Sequence, residues 1–375
     1  MATGMAIMGF GGGAMIGAPL ADKLMKYYAT PASVGVWETF LTLGAIYLGA
    51  MLAGAFTYRV PPPGWKPHGW TAPAPTANPM ITRGHVHINI AHHAPQFWLL
   101  WAVLCLNVSA GIGIIGMASP MLQEVFGGRL IGVAGSLSAL TPAQKAKVAS
   151  IGAGFAGLLS LFNIGGRIFW ASLSDHLGRK RTYFVFFVAG TLLYIGAAVA
   201  GSLKNVTLFV ALFCVILTMY GGGFATIPAY LADLFGTQFV GAIHGRLLTA
   251  WSTAGILGPV LVNYLREYQI GRGVPNESAY NFTLYVLAGL LFLGFVSNLL
   301  VRPVDQRHFM SEDELEEEWQ LAKNKEAAVP QPTGIESTRP TAASWVTVAT
   351  GWALVGVPLG WGIFKTVEKA AAFLR

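Results

Sequence analysis

Charge is what this sequence has least of. Only 11% of its 375 residues are Asp, Glu, Lys or Arg, against about a quarter in an ordinary soluble domain. So few charges cannot cover a water-facing surface, which excludes a soluble enzyme, and a 54% hydrophobic content excludes a disordered chain. Cysteine is nearly absent too. Cys105 and Cys214 each sit inside a long apolar run, so neither a disulfide scaffold nor a zinc site is expected. Paired intramembrane histidines are also lacking, because only His244 falls clearly within an apolar run, so no haem and no other cofactor is expected. No Walker-type phosphate loop occurs, which argues against ATP-driven pumping. Negative charge is the scarcer sign, with 17 acidic against 24 basic residues and a net charge of +7. The cations are scattered between apolar runs and form no stripe, a distribution suited to an anionic membrane surface or solute and not to nucleic acid.

What is present is length in apolar runs. A transmembrane helix needs about 20 mostly apolar residues, and nine segments satisfy or approach that: 3–27, 35–57, 96–119, 148–171, 181–201, 206–231, 240–265, 281–301 and 345–365. They are too long and too uniformly apolar for β-barrel strands. The expected fold is therefore all-α, a polytopic membrane bundle of about 8–9 helices in a lipid bilayer. The last segment carries Gly356, Pro358, Gly360 and Gly362, which also suits a re-entrant or surface helix. Residues 58–95, opening Pro61-Pro62-Pro63, read as a semi-extended linker. The acidic stretch 302–344 reads as a tail with a short helix starting at Ser311, where Ser311 and Glu314 fit a capping box. The basic cluster Arg179-Lys180-Arg181 makes its loop the best cytoplasmic candidate.

Within the spans ionisable residues are rare, and each is a functional candidate by default. Arg167 lies near the end of the fourth span, with Asn163 one turn earlier on the same face. Its planar fork suits a carboxylate and does not deprotonate. The bland alternative is a structural arginine that snorkels or pairs with Asp175 or Asp233. Arg246, six residues into the seventh span, is either a solute ligand or a snorkelling side chain. Tyr220 and Trp251 either wall a small-anion site or pack as ordinary aromatics. Asn107 and Ser109 either line a path or hydrogen-bond between helices. His244 either couples protons or is merely hydrogen-bonded. The loop histidines His85, His87, His92 and His93 lack ligand spacing and read as solvated, so no metal site is expected.

The loop Arg167-Ile168-Phe169-Trp170-Ala171-Ser172-Leu173-Ser174-Asp175-His176-Leu177-Gly178-Arg179-Lys180 resembles the cytoplasmic signature of the major facilitator superfamily, matching at Asp175, Gly178, Arg179 and Lys180 and departing at Ala171 and His176. A turn at Gly178 with Asp175 capping a helix or pairing with a cation would form a gating latch. The stretches Gly221-Gly222-Gly223-Phe224-Ala225-Thr226-Ile227-Pro228-Ala229-Tyr230-Leu231-Ala232-Asp233, Gly241-Ala242-Ile243-His244-Gly245 and Pro61-Pro62-Pro63-Gly64-Trp65 resemble the oxalate/formate antiporter family.

On that twelve-helix fold the resemblance makes the first span helix five and the eighth helix twelve. It implies a partial fold lacking helices one to four. Residues 1–57 would be the remainder of the N-terminal bundle (two helices), 58–95 a cytoplasmic Pro/His-rich linker and 96–301 the C-terminal six-helix bundle. Residues 302–344 would be an acidic cytoplasmic tail segment and 345–375 an extra hydrophobic helix. The family also implies a solute-binding role for Arg167 and, in its oxalate carriers, a lysine deep in the seventh span. Residues 240–265 hold no lysine, and Trp251 or Ala254 occupies that region. One cation suits a monocarboxylate better than a dicarboxylate. The resemblance implies a non-enzymatic secondary transporter of small carboxylate anions in a bacterial inner membrane, with a proton as a possible coupling ion. The other reading is a truncated, non-transporting remnant or anion-binding membrane protein.

Overall fold

The computed structural model describes residues 2–57 and 78–327, with isolated positions 346, 349, 350 and 353 beyond them. These residues form α1 (Ala2–Tyr28), α2 (Val36–Thr57), α3 (Ile88–Ala91), α4 (Pro95–Phe126), α5 (Pro142–Leu177), α6 (Arg179–Ser202), α7 (Val206–Phe235), α8 (Val240–Leu247), α9 (Thr249–Gly271), α10 (Ala279–Leu300) and α11 (Glu312–Ala327). Among the described residues six segments, α2, α5, α6, α7, α10 and α4 with the turn that follows it, are long and apolar enough to cross a membrane. Helices are what lipid permits, since hydrocarbon offers backbone N–H and C=O groups no other partner. The all-α membrane bundle read from the sequence is the observed fold class.

The helices outrun the apolar windows. α5 begins at Pro142, ahead of the window at 148, because Thr141 and Gln144 make a reciprocal capping box and Pro142 occupies the first turn. The solvent-side Lys145 and Lys147 are thereby helical. The segment read as one span over 240–265 is interrupted at Leu248, between α8 and α9. There the Thr249 hydroxyl donates to the Arg246 carbonyl at 2.9 Å, and Trp251 N donates to Leu248 O at 2.9 Å, a local tightening of the helix.

Two compact units make up the chain, Met1–Lys23 with Ala45–Glu312 and Leu24–Gly44 with Asp313–Arg375. In the smaller one, Gly35 (φ +74°) turns the chain and the Tyr28 and Thr42 hydroxyls meet at 2.9 Å. In the larger, α5 runs along α7, α4 along α9, and α6 along α10. Arg266 forks onto Glu124 at 2.8 and 2.9 Å, tying α9 to α4, and Lys204 reaches Glu277 at 2.6 Å.

The linker expectation needs correction over residues 78–94. This stretch is packed against the ends of helices and is not an open spacer. Thr82 N donates to Asp233 O at 2.8 Å, Val86 N to Phe235 O at 2.9 Å, and Met310 N to His85 O at 2.9 Å, while Val86 is fully buried. His85 and His87 are not simply solvated either: His85 Nδ1 accepts from Gln238 N and His87 Nδ1 from Asn89 N. The Pro-rich residues 58–77 and the tail 328–344 lie outside the described residues. So does the expected ninth span at 345–365 within 345–375, apart from the four isolated positions.

Candidate functional site

A helix brings residues four apart onto one face, and on α5 this aligns Asn163 with Arg167. Arg167 is only 2% exposed, and its Nε donates to Asn163 Oδ1 at 3.2 Å. Its Nη1 donates to the Ile7 carbonyl of α1 at 3.1 Å. Its Nη2 is buried and has no hydrogen-bond partner among the described residues. The rings of Phe10 and Phe224 lie 5.3 and 5.4 Å from the guanidinium carbon, a cation–π arrangement.

Small residues make this possible. Gly221 of α7 lies against Asn163 and the Arg167 stem, so close that a Cβ there would come within 2.4 Å of Asn163 O. A Cβ at Gly4 of α1 would likewise come within 2.5 Å of the Arg167 carbonyl oxygen and 2.9 Å of the Ala171 Cβ.

Trp251 closes one side, with its ring 5.6 Å from Phe10 and 5.8 Å from Phe224. Tyr220 is buried, 5.3 Å from Phe224, with its ring seated on Gly111. Arg167, Asn163, Tyr220 and Trp251 therefore belong to one cluster. Sequence reasoning does not single out Phe10, Phe224 or the Ile7 carbonyl; an aromatic within a Gly-rich run is the available signal.

Arg246 lies elsewhere. Its Nη1 donates to Ile88 O at 2.6 Å and its Nη2 to Asn89 Oδ1 at 3.1 Å, so in this arrangement it pins α3. His244 is half-buried on α8, one turn before Leu248, which donates to its carbonyl. Ser109 donates to Cys105 O within its own helix, and the Asn107 amide nitrogen is buried against Gly223.

The alternative pairing of Arg167 with Asp175 or Asp233 is not found among the described residues; Arg179 reaches both carboxylates. Gly178 (φ +85°), a conformation that favours glycine, breaks the chain between α5 and α6. Arg179 Nη2 then reaches Asp175 at 2.6 Å and its Nε lies 3.6 Å from Asp233 on α7, with the Ser174 hydroxyl as a further partner. Lys180 Nζ donates to the Leu299 and Val301 carbonyls at 3.0 and 2.6 Å, closing the end of α10. Replacing Arg179 by Gln leaves two acidic side chains within electrostatic reach of each other. The expected loss is roughly 1–2 kcal/mol, discounted from a fully buried pair because Asp175 is half-exposed. Adding Asp233→Asn should recover most of it. Thermal unfolding of both single variants and the double variant checks this; purely additive losses would contradict the latch geometry.

Among the described residues no group of three His, Cys, Asp or Glu side chains is arranged to hold a metal.

The family model of the Major Facilitator Superfamily matches residues 1–259 and 131–367. The chain is 24% identical over 303 residues to the oxalate:formate antiporter of Oxalobacter formigenes, covering 81% of this chain and 62% of that protein. It is 23% identical over 224 residues to the uncharacterized MFS-type transporter YhjX of Escherichia coli (strain K12), covering 60% of this chain and 48% of that one. The chain thus spans less than two thirds of the length of these curated relatives. Among solved structures it is similar to a bacterial homolog of the human lysosomal transporter Spinster, in an inward-facing, unoccupied conformation. That match has a TM-score of 0.46 and 15% identity, covering 80% of this chain and 68% of that one.

Proposed function

The chain belongs to the Major Facilitator Superfamily, and on that premise we propose that it carries small organic anions bearing one negative charge, with Arg167 as the anion's partner. The observation that carries this reading is a guanidinium 2% exposed with a buried N–H group left over and no carboxylate partner among the described residues. Arg179 has Asp175 and Asp233, Arg266 has Glu124 and Lys204 has Glu277 as counter-charges, while the more exposed Lys180 and Arg246 donate to carbonyl and amide oxygens.

A buried charge without a counter-charge is costly. A carboxylate that takes Nη2 and displaces the Ile7 carbonyl from Nη1 relieves that cost with a bidentate pair. The ring faces of Phe10, Phe224 and Trp251 leave the rest of the solute an apolar neighbourhood. A second carboxylate would enter it unmatched, which favours formate- or lactate-like monoanions over a dicarboxylate. Because the anion stabilises the closed form more than the open one, it shifts the balance between them, and exchange of one anion for another follows. The resemblance of the relative named as an oxalate:formate antiporter agrees with an organic-anion substrate.

The test is counterflow in proteoliposomes of the full chain loaded with unlabelled formate, lactate or oxalate. Labelled formate and lactate are expected to exchange at least about tenfold faster than labelled oxalate, the difference a single unmatched charge of about 1.4 kcal/mol or more would make. Equal counterflow of an uncharged sugar, or none with any anion, would overturn the reading.

A further inference from the structure

We infer that α1 is an internal competitor for the anion at Arg167, with the Ile7 carbonyl standing where one carboxylate oxygen of the solute would bind. This rests on the reading of Arg167 as the anion's partner. A carbonyl oxygen has two lone pairs, so it can serve its own helix and still accept a hydrogen bond from a guanidinium. Arg167 Nη1 donates that bond at 3.1 Å, and the neighbouring Nη2 is left with none. A lone carbonyl satisfies half of a fork built for two oxygens.

Two features of α1 make it a fitted cover. Gly4, one turn before Ile7, lies where a Cβ would come within 2.5 Å of the Arg167 carbonyl and 2.9 Å of the Ala171 Cβ. That approach is open only to glycine on α1 opposite a small residue on α5. Phe10, one turn after Ile7, brings its ring to 5.3 Å from the guanidinium carbon and 5.6 Å from Trp251. The three positions follow one another along one face of the helix, so α1 meets the arginine as a unit.

The carbonyl carries a partial charge and one acceptor, whereas a carboxylate brings a full charge and two. The solute therefore outcompetes α1 but must first displace it. Its apparent affinity is reduced by the fraction of protein in which α1 is seated. The same contact gives the empty protein a partial partner for its buried cation, so that Arg167 need not stand bare between one solute and the next.

The sign of this effect is testable. A methyl group at Gly4 meets backbone and cannot be absorbed by a side-chain rotation, so Gly4→Ala must push α1 off α5. Ala171→Val applies the same wedge from the other helix and guards against a folding defect peculiar to one variant. Equilibrium binding of labelled formate and lactate to the full chain in detergent is then compared with that of the unsubstituted protein. At least about a fivefold tightening in either variant is expected, as a seated fraction of four fifths or more would give. If neither variant binds more tightly, α1 is not a competitor. Arg167→Gln in the same assay separates this from failure of the site itself. Loss of binding in Arg167→Gln without tightening in the wedge variants removes the competitor and keeps the site. Undiminished binding in Arg167→Gln removes both.

Discussion

Arg167→Gln is expected to abolish anion exchange while raising thermal stability. The two effects have one cause. The arginine is enclosed by Asn163, the Ile7 carbonyl, Phe10 and Phe224. These supply one side-chain acceptor, one backbone acceptor and two ring faces, but no opposite charge. Each ring face is worth about 0.5–2 kcal/mol, while removing an ion from water costs several kcal/mol even after relaxation. A neutral glutamine keeps part of the stem and a hydrogen-bonding end group but carries no charge to desolvate, so the apparent melting temperature should rise.

Exchange should fall at least about 100-fold, since a bidentate, charge-assisted pair with the solute is lost. Arg167→Lys keeps the charge without the fork and should retain intermediate activity. A purely structural arginine predicts the opposite pairing, with lower stability and activity lost only through misfolding. Melting curves and counterflow on the same preparations decide between them, and a destabilised Arg167→Gln protein with normal exchange would contradict the assigned role.

Most of the architecture is readable from the residues alone because lipid imposes a strict rule: a long apolar run must be a helix. The lone arginine in the fourth run stands out for the same reason, being the expensive residue in its surroundings. What stays hidden in the sequence is pairing at a distance. Arg179 is legible as part of a basic cluster, but its reach to Asp233 depends on how α7 lies beside α6, which spacing along the chain does not encode. The same holds for Phe10 and Phe224. In a chain with 22 phenylalanines, nothing local marks the two that meet the guanidinium. Residues 78–94 mislead for another reason, since the prolines from Pro61 to Pro79 suggest a semi-extended linker and its histidines read as solvated, whereas backbone bonds to Asp233 and Phe235 that composition cannot register hold the segment down. The Thr141–Gln144 capping box is readable in principle, and it explains why α5 starts ahead of its apolar window.

Adjacent glycines on α5 should respond to the same substitution with opposite signs. A Cβ at Gly166 would fall 2.2 Å from Thr218 O and 2.4 Å from Thr218 Cα on α7, whereas a Cβ at Gly165 meets nothing within 4 Å. Replacing glycine by alanine inside a helix ordinarily stabilises it by roughly 0.5–1 kcal/mol through the entropy of the unfolded chain, and Gly165→Ala should show that gain. At Gly166 the obstacle is backbone, which no rotamer change can clear. The two helices must separate, and roughly 1–3 kcal/mol of packing is lost.

Lipid tails give helices no hydrophobic reason to stay together, so close van der Waals contact supplies much of what joins α5 to α7. The separation also reaches the site. Thr218 accepts a hydrogen bond from Trp170 Nε1 at 3.2 Å, and Gly221, one turn further along α7, touches Asn163 and the Arg167 stem. Gly166→Ala should therefore weaken anion binding as well as lower the melting temperature, while Gly165→Ala raises the melting temperature and leaves binding alone. Melting temperatures and formate affinities of the two variants provide the comparison. Equal behaviour of the pair would contradict the role given to the close α5–α7 contact at Gly166.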